Sequence, residues 1–162
     1  MSAHWYPAYV GLGSNLDDPM QQIRTALSSL RSASHINLQA VSSLYVSEPH
    51  GEVQQDDFVN AVAALLTTLT AEKLLEHLHK IETAQGRERI QHWGPRTLDL
   101  DLLVYADQTS DNAHLRLPHP EIANRNFVLV PLAEIAPALL IPGLGRVVNL
   151  LDKLPATKLQ KI

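Results

Sequence analysis

Apolar and polar positions change rhythm along the chain, and the changes predict alternating strands and helices. Tyr9 to Leu12 reads as a strand running into a turn at Gly13-Ser14-Asn15. Asp18 then supplies a helix N-cap ahead of Pro19, whose fixed φ suits a first helical turn. Met20, Ile23, Leu27 and Leu30 recur at helical spacing and give that helix one apolar face. Asn37 to Val46 alternates loosely, as a strand does. Phe58 to Thr67 reads as another strand, with Phe58, Asn60 and Val62 on one face. Thr70 caps a second helix whose buried stripe is Leu74, Leu75, Leu78 and Ile81, and Gly86 ends it. Leu98 to Tyr105 is a strand by alternation, and after a polar turn Leu115 to Leu117 reads as a short one. Apolar helices and turns punctuated by proline complete the chain.

The order β-α-β-β-α-β predicts an α+β fold, a ferredoxin-like antiparallel sheet with helices packed on it in a three-layer α-β-α elaboration. At 162 residues, with 45% apolar and 19% charged positions, the chain suits one domain over 1–162 with a sizeable core. No internal repeat, low-complexity tract or linker interrupts it. The net charge of −4 argues against a general nucleic-acid binder. Cysteine is absent, which removes disulfide and thiolate chemistry and fits a reducing compartment. Met1 to Pro7 lacks the basic and apolar runs of a secretory signal. The longest apolar stretch, Phe127 to Gly145, is broken by Pro131, Glu134, Pro137 and Pro142 and cannot be a continuous membrane helix. A cytoplasmic location with no membrane partner is expected.

The most informative segment is Gly94-Pro95-Arg96-Thr97-Leu98-Asp99-Leu100-Asp101-Leu102-Leu103. In a strand its leucines face one way and Asp99 and Asp101 the other, with the carboxylates roughly 7 Å apart. Like charges so placed repel unless a cation intervenes, and Mg²⁺ is commonly held by one or two carboxylates plus phosphates. The bland alternative is a half-exposed strand whose acids face water or pair with Arg96. Glu82 falls beside Leu78 and Ile81 in the last turn of its helix, where a negative charge opposes the dipole. It needs a donor, a cation or a ligand group, and a salt bridge to Arg87 or Arg89 would also serve. Arg87, Arg89 and Arg96 flank a loop that contains Trp93. Such a loop suits phosphoryl transfer, although it could equally be a solvated charged loop. Ser47 to Asp57 is an acidic connection too long for a tight hairpin turn.

Gly11-Leu12-Gly13-Ser14-Asn15-Leu16 lacks the third glycine of a dinucleotide fingerprint, and no Gly-Lys-Ser/Thr follows it. The histidines form no His-Glu-x-x-His pattern, and His77 and His79 point to different faces of their helix.

Four segments in order resemble the 6-hydroxymethyl-7,8-dihydropterin pyrophosphokinases of folate biosynthesis. They are Gly11 to Leu16; Ser47-Glu48-Pro49 through Phe58-Val59-Asn60-Ala61; Gly94 to Asp101; and Pro118-His119-Pro120 through Arg125-Asn126-Phe127. The third is highly specific and the first alone is weak. The resemblance implies transfer of the β,γ-diphosphate of ATP to the pterin hydroxymethyl oxygen, with release of AMP. It implies that Asp99 and Asp101 hold two Mg²⁺ ions and that Arg87 and Arg96 close over the transferring group. Phe58 and Phe127 would sandwich the pterin, Asn60 would read its amide edge, and groups around Ser47, Glu48 and His50 would complete the pocket. Glu82, Arg89, Trp93, Leu102, His119 and Arg125 would fall on the nucleotide side. Taken singly, Phe58 and Phe127 could be core aromatics and His119 could brace a turn. The partners implied are these two small molecules, and a monomer is expected.

The chain also departs from the family's pattern. The loop from Gly86 to Trp93 is a residue shorter than in the best-known members, with His92 where they often carry arginine. Glu48 and His50 replace more neutral residues, and His114 and Arg116 differ from common choices near the nucleotide. These changes motivate a second reading, a pterin- or nucleotide-binding paralogue with impaired catalysis. An RNA-binding ferredoxin-like module is remote, given the acidic balance.

Overall fold

The computed structural model describes residues 3–48, 56–86, 97–155 and 158–162. Its first half runs β1 (Tyr6–Ser14), α1 (Pro19–Ser32), β2 (Ile36–Val41), β3 (Tyr45–Ser47), β4 (Phe58–Thr67), α2 (Ala71–Ala84) and β5 (Asp99–Tyr105). Then follow a hairpin of β6 (Ser110–Asn112) and β7 (Leu115–Leu117), a 3₁₀ turn at Ile122–Asn124, and α3 (Asn126–Ile135). A small hairpin of β8 (Leu140–Ile141) and β9 (Gly145–Arg146), α4 (Val147–Asp152) and β10 (Gln160–Lys161) end the chain. The fold is a mixed α and β architecture with an antiparallel main sheet and four α-helices among the described residues.

The sheet order is β10-β3-β4-β1-β5, with β2 also paired to β4. The stretch expected as one strand from Asn37 to Val46 is therefore two, and the break has a local cause. Between them Ser42 donates its N–H to the Val62 carbonyl and accepts the Val62 N–H on Oγ, both at 2.9 Å. A side chain thus replaces one backbone rung, so β4 keeps its hydrogen bonds while the edge bends. The terminal strand β10, which pairs with β3, had no signal in the alternation.

Both long helices begin as the caps predicted. Asp18 accepts from the Gln21 N–H, and Thr70 from the Lys73 N–H. Ile23, Ala26, Leu27 and Leu30 of α1 and Leu74, Leu78 and Ile81 of α2 are buried against one face of the sheet, with Val10, Leu12, Val59, Ala61, Leu100 and Leu102. Gly86, at φ 84°, follows α2 in the left-handed conformation that glycine adopts without strain.

The opposite face carries a second buried cluster: Val62, Leu103 and Val104 of the sheet with Val128, Leu129 and Leu132 of α3 and Val147 and Leu150 of α4. Alternation sends Val59 and Ala61 to the first cluster and Val62 to the second. Phe58, Asn60, Asp99 and Asp101 consequently share the face that α3 approaches.

Candidate active site

The floor of the site is β1. Gly13 lies opposite both Asn60 on β4 and Asp99 on β5, and Gly11 lies opposite Val62 and Asp101. A Cβ at Gly13 would come within 3.2 Å of Asn60 Oδ1, whereas one at Gly11 would meet Leu103 at ordinary contact, 3.5 Å. Glycine inside a strand marks a close approach, and here it clears space between the amide and the acids. Gly13 and Ser14 are thus the end of β1 rather than the turn that the composition predicted.

Above this floor one pocket gathers Ser47, Glu48, Phe58, Asn60, Asp99, Asp101, Arg125 and Phe127, with Gly11, Gly13 and Val128. Seven of these come from the resemblance's pterin and metal sets, brought together from four elements and the connection after β3. Asn60 Nδ2 donates to Ser47 Oγ at 2.6 Å. The Arg125 guanidinium lies 5.5 Å from the centre of the Phe127 ring, a cation–π distance. Its Nη1 is 3.8 Å from Asp101 Oδ2. Arg125, expected on the nucleotide side, lines this aromatic pocket.

A second cleft adjoins the first and shares its acids. It is lined by Glu82, Asp99, Asp101, Leu102 and His119, together with His79, His114 and Arg116. The acid pair is a common wall between the two. Glu82 is only 4% exposed, and its Oε2 accepts the Leu100 N–H at 2.8 Å. That bond supplies the donor its position required. His119 Nδ1 accepts the Glu121 N–H at 3.1 Å, so the ring proton of the neutral form sits on Nε2. Nε2 lies 4.0 Å from Asp101 Oδ1. Burial and the nearby Arg125 lower the His119 pKa against the opposing pull of Asp99 and Glu121, which favours the neutral ring near pH 7.

Ser14 and Asn15, which carried no predicted role, are buried and tie the site's flanks to β1. Ser14 Oγ donates to the Thr97 carbonyl at 2.5 Å, two residues before Asp99. Asn15 Nδ2 donates to the Asp56 carbonyl at 2.9 Å, two residues before Phe58. The signal available for them was the Gly-x-Gly-Ser-Asn run itself, whose alternating glycines fit a pocket floor better than a turn. His50, Arg87, Arg89, Trp93 and Arg96 lie outside the described residues, as do the ion pairs that Arg87, Arg89 or Arg96 would make.

A two-carboxylate strand under an aromatic slot invites comparison with known proteins. The family model for 7,8-dihydro-6-hydroxymethylpterin-pyrophosphokinase (HPPK) matches residues 9–137. The chain belongs to the HPPK family. It is similar to the 2-amino-4-hydroxy-6-hydroxymethyldihydropteridine pyrophosphokinase of Haemophilus influenzae, at 43% identity over 155 residues, covering 96% of this chain and 97% of that one. A protein of the same name from Pseudomonas aeruginosa is 45% identical over 154 residues, covering 95% of each. Among solved structures, the HPPK-DHPS of Plasmodium falciparum matches with a TM-score of 0.73 at 13% identity. That match covers 94% of this HPPK chain and 45% of the longer one, and it bears on the fold alone.

Proposed function

We propose that this HPPK-family chain transfers the β,γ-diphosphate of ATP to the hydroxymethyl oxygen of 6-hydroxymethyl-7,8-dihydropterin, releasing AMP, as a step of folate biosynthesis. One observation carries the reading: Asp99 and Asp101 line both the aromatic pocket and the cleft beside it. A ring held between Phe58 and Phe127 and a triphosphate held in the second cleft would meet at these acids. Enforced proximity of this kind removes much of the entropic barrier to a two-substrate reaction. The hydroxymethyl oxygen forms a bond to the β-phosphorus, the bond from that phosphorus to the α,β-bridging oxygen breaks, and AMP departs with that oxygen. The hydroxyl proton leaves to solvent.

The residues fit Mg²⁺. The acids offer oxygen donors, and among the described residues no group of three or more His, Cys, Asp or Glu side chains forms a cage. That suits an ion that completes its shell with water and phosphate oxygens. Asp99 and Asp101 would hold two such ions, which when bound supply charge neutralisation and orientation of the phosphates. Phe58 and Phe127 stack the ring, and Asn60 bonds its edge. Arg125 neutralises charge beside Asp101, His119 offers Nε2–H to the same region, and Glu82 keeps the strand between the acids in place. Glu48 lies at the pocket rim, Leu102 gives the second cleft an apolar contact, and the roles of His50, Arg87, Arg89, Trp93 and Arg96 rest on the family resemblance.

The strand order β5-β1-β4 with β2 and β3 beyond supports a ferredoxin-like reading of the sheet, with α3 and α4 as a third layer. In this reading residues 1–162 form one domain that acts as a cytoplasmic monomer. No observation favours the catalytically impaired paralogue. The test is AMP release from ATP plus the dihydropterin, with and without Mg²⁺. Metal-dependent AMP formation is expected, and saturable binding of both ligands without AMP would overturn the assignment.

A further inference from the structure

Phe58 is the first residue of β4 and Asp99 the first of β5, and these two strands flank β1. The backbone register runs out at that level. Ser14 is the last β1 residue paired to β4, opposite Val59, and Gly13 the last paired to β5, opposite Asp99. Strand ends open most easily, so the ladder alone fixes an acid or a ring at its last rung poorly. Two side chains carry the connection further. Ser14 Oγ donates to the Thr97 carbonyl at 2.5 Å, and Asn15 Nδ2 donates to the Asp56 carbonyl at 2.9 Å. A carbonyl oxygen only accepts, so the direction of both bonds is settled. Another acceptor for Ser14, the Leu16 carbonyl, is more distant at 3.4 Å. Both side chains are buried, which shields these bonds from water. Each bond grips the chain two residues ahead of a site group, Thr97 before Asp99 and Asp56 before Phe58. Asp99 is thereby bracketed, by Ser14 upstream and by the Glu82 bond to the Leu100 N–H downstream.

We propose that Ser14 and Asn15 are separate positioning residues, Ser14 setting Asp99 for the metal and Asn15 setting Phe58 for the ring. This rests on the reading above and deepens it. Mg²⁺ demands near-ideal placement of its oxygen ligands, so a carboxylate on a frayed strand end holds the ion less well. Stacking of a ring depends instead on where β4 begins. One β1 terminus therefore serves both substrates through two adjacent side chains, each acting on a different strand, and small misplacements at either strand cost rate or affinity.

The test uses the full chain with Mn²⁺ and α,β-methylene-ATP, followed by electron paramagnetic resonance, and separately a titration with the oxo pterin 6-hydroxymethylpterin. The methylene bridge cannot be cleaved, so the signal reports binding and not turnover. Ser14→Ala should weaken Mn²⁺ binding about tenfold, the effect of one lost hydrogen bond, and leave pterin affinity within about threefold. It should also speed hydrogen exchange of the Leu98 and Asp99 amides. Asn15→Ala should show the reverse pattern, with pterin weakened about tenfold and Mn²⁺ within about threefold. Ser14→Thr, which keeps the hydroxyl, should retain Mn²⁺ affinity, and thermal melts check that each variant is folded. A merely structural role would weaken both ligands in both variants. That result, unchanged Mn²⁺ affinity in Ser14→Ala, or equal losses in Ser14→Ala and Ser14→Thr would overturn the proposal while leaving the pyrophosphokinase reading in place. Failure of the wild-type chain to bind either ligand would remove both.

Discussion

The Glu82 carboxylate accepts the Leu100 N–H at 2.8 Å, joining the last turn of α2 to the strand residue between the two acids of the site. β5 ends the sheet order, so this bond satisfies a backbone donor on its outer edge. Removing the carboxylate strands a buried N–H. Glu82→Ala is expected to lower stability by about 1–3 kcal/mol. Glu82→Gln, which retains an acceptor, should lose less. Urea unfolding of the two variants checks this, and equal losses would mean that the bond to Leu100 contributes little.

The acid pair should separate catalysis from folding. Asp99 and Asp101 are half-exposed at the rim of the core, so Asp99→Ala or Asp101→Ala should leave the melting temperature within a few degrees of wild type. AMP release should fall by about a hundredfold or more in each, since several kcal/mol of charge stabilisation would be lost. Substantial AMP formation by either variant would remove that residue from the metal site.

The two floor glycines should respond differently to the same change. In Gly13→Ala the new Cβ presses on Asn60 Oδ1 from 3.2 Å, and pterin affinity should weaken about tenfold. In Gly11→Ala the methyl meets Leu103 at 3.5 Å or more, an ordinary contact, and affinity should change less than threefold. Equilibrium titration of both variants with the oxo pterin measures the contrast.

A pH prediction follows from the tie between β3 and α3. Glu134 accepts from the Tyr45 hydroxyl at 2.6 Å and from the Ser43 N–H and hydroxyl. Partial burial alone would raise the Glu134 pKa, but these hydrogen bonds and Lys161 together hold it below its ordinary 4.5. Its contribution is thus present above about pH 4.5 and is lost as pH falls through the depressed value; because Glu134 is exposed, the effect is small. Burial, aided by Glu134, pushes Tyr45 up to about 12. That contribution is complete below the ordinary value of 10 and is lost as pH rises through about 12. Melting temperature against pH should therefore fall at both ends. Glu134→Gln should flatten the acid limb and Tyr45→Phe the alkaline one, and unchanged limbs would exclude this tie as their source.

The chain's own order settled the elements whose evidence is local. Asp18 and Thr70 cap helices because a side-chain oxygen reaches a backbone N–H three residues on, and the apolar stripes of α1 and α2 follow from 3.6 residues per turn. The face shared by Phe58 and Asn60, and that shared by Asp99 and Asp101, follow from a period of two. The family was legible for the same reason, because its motifs are short runs of neighbouring residues. What required the fold was every relation between distant segments. Only antiparallel pairing sets Gly13 between Asn60 and Asp99, and only packing of α3 on the sheet brings Arg125 and Phe127 to the acids. Ser42 splits an apparent single strand because its partner, Val62, is twenty positions away. Alternation tells which side of a strand a residue takes. It does not tell which strand lies alongside, because that is decided by the burial of both sheet faces at once.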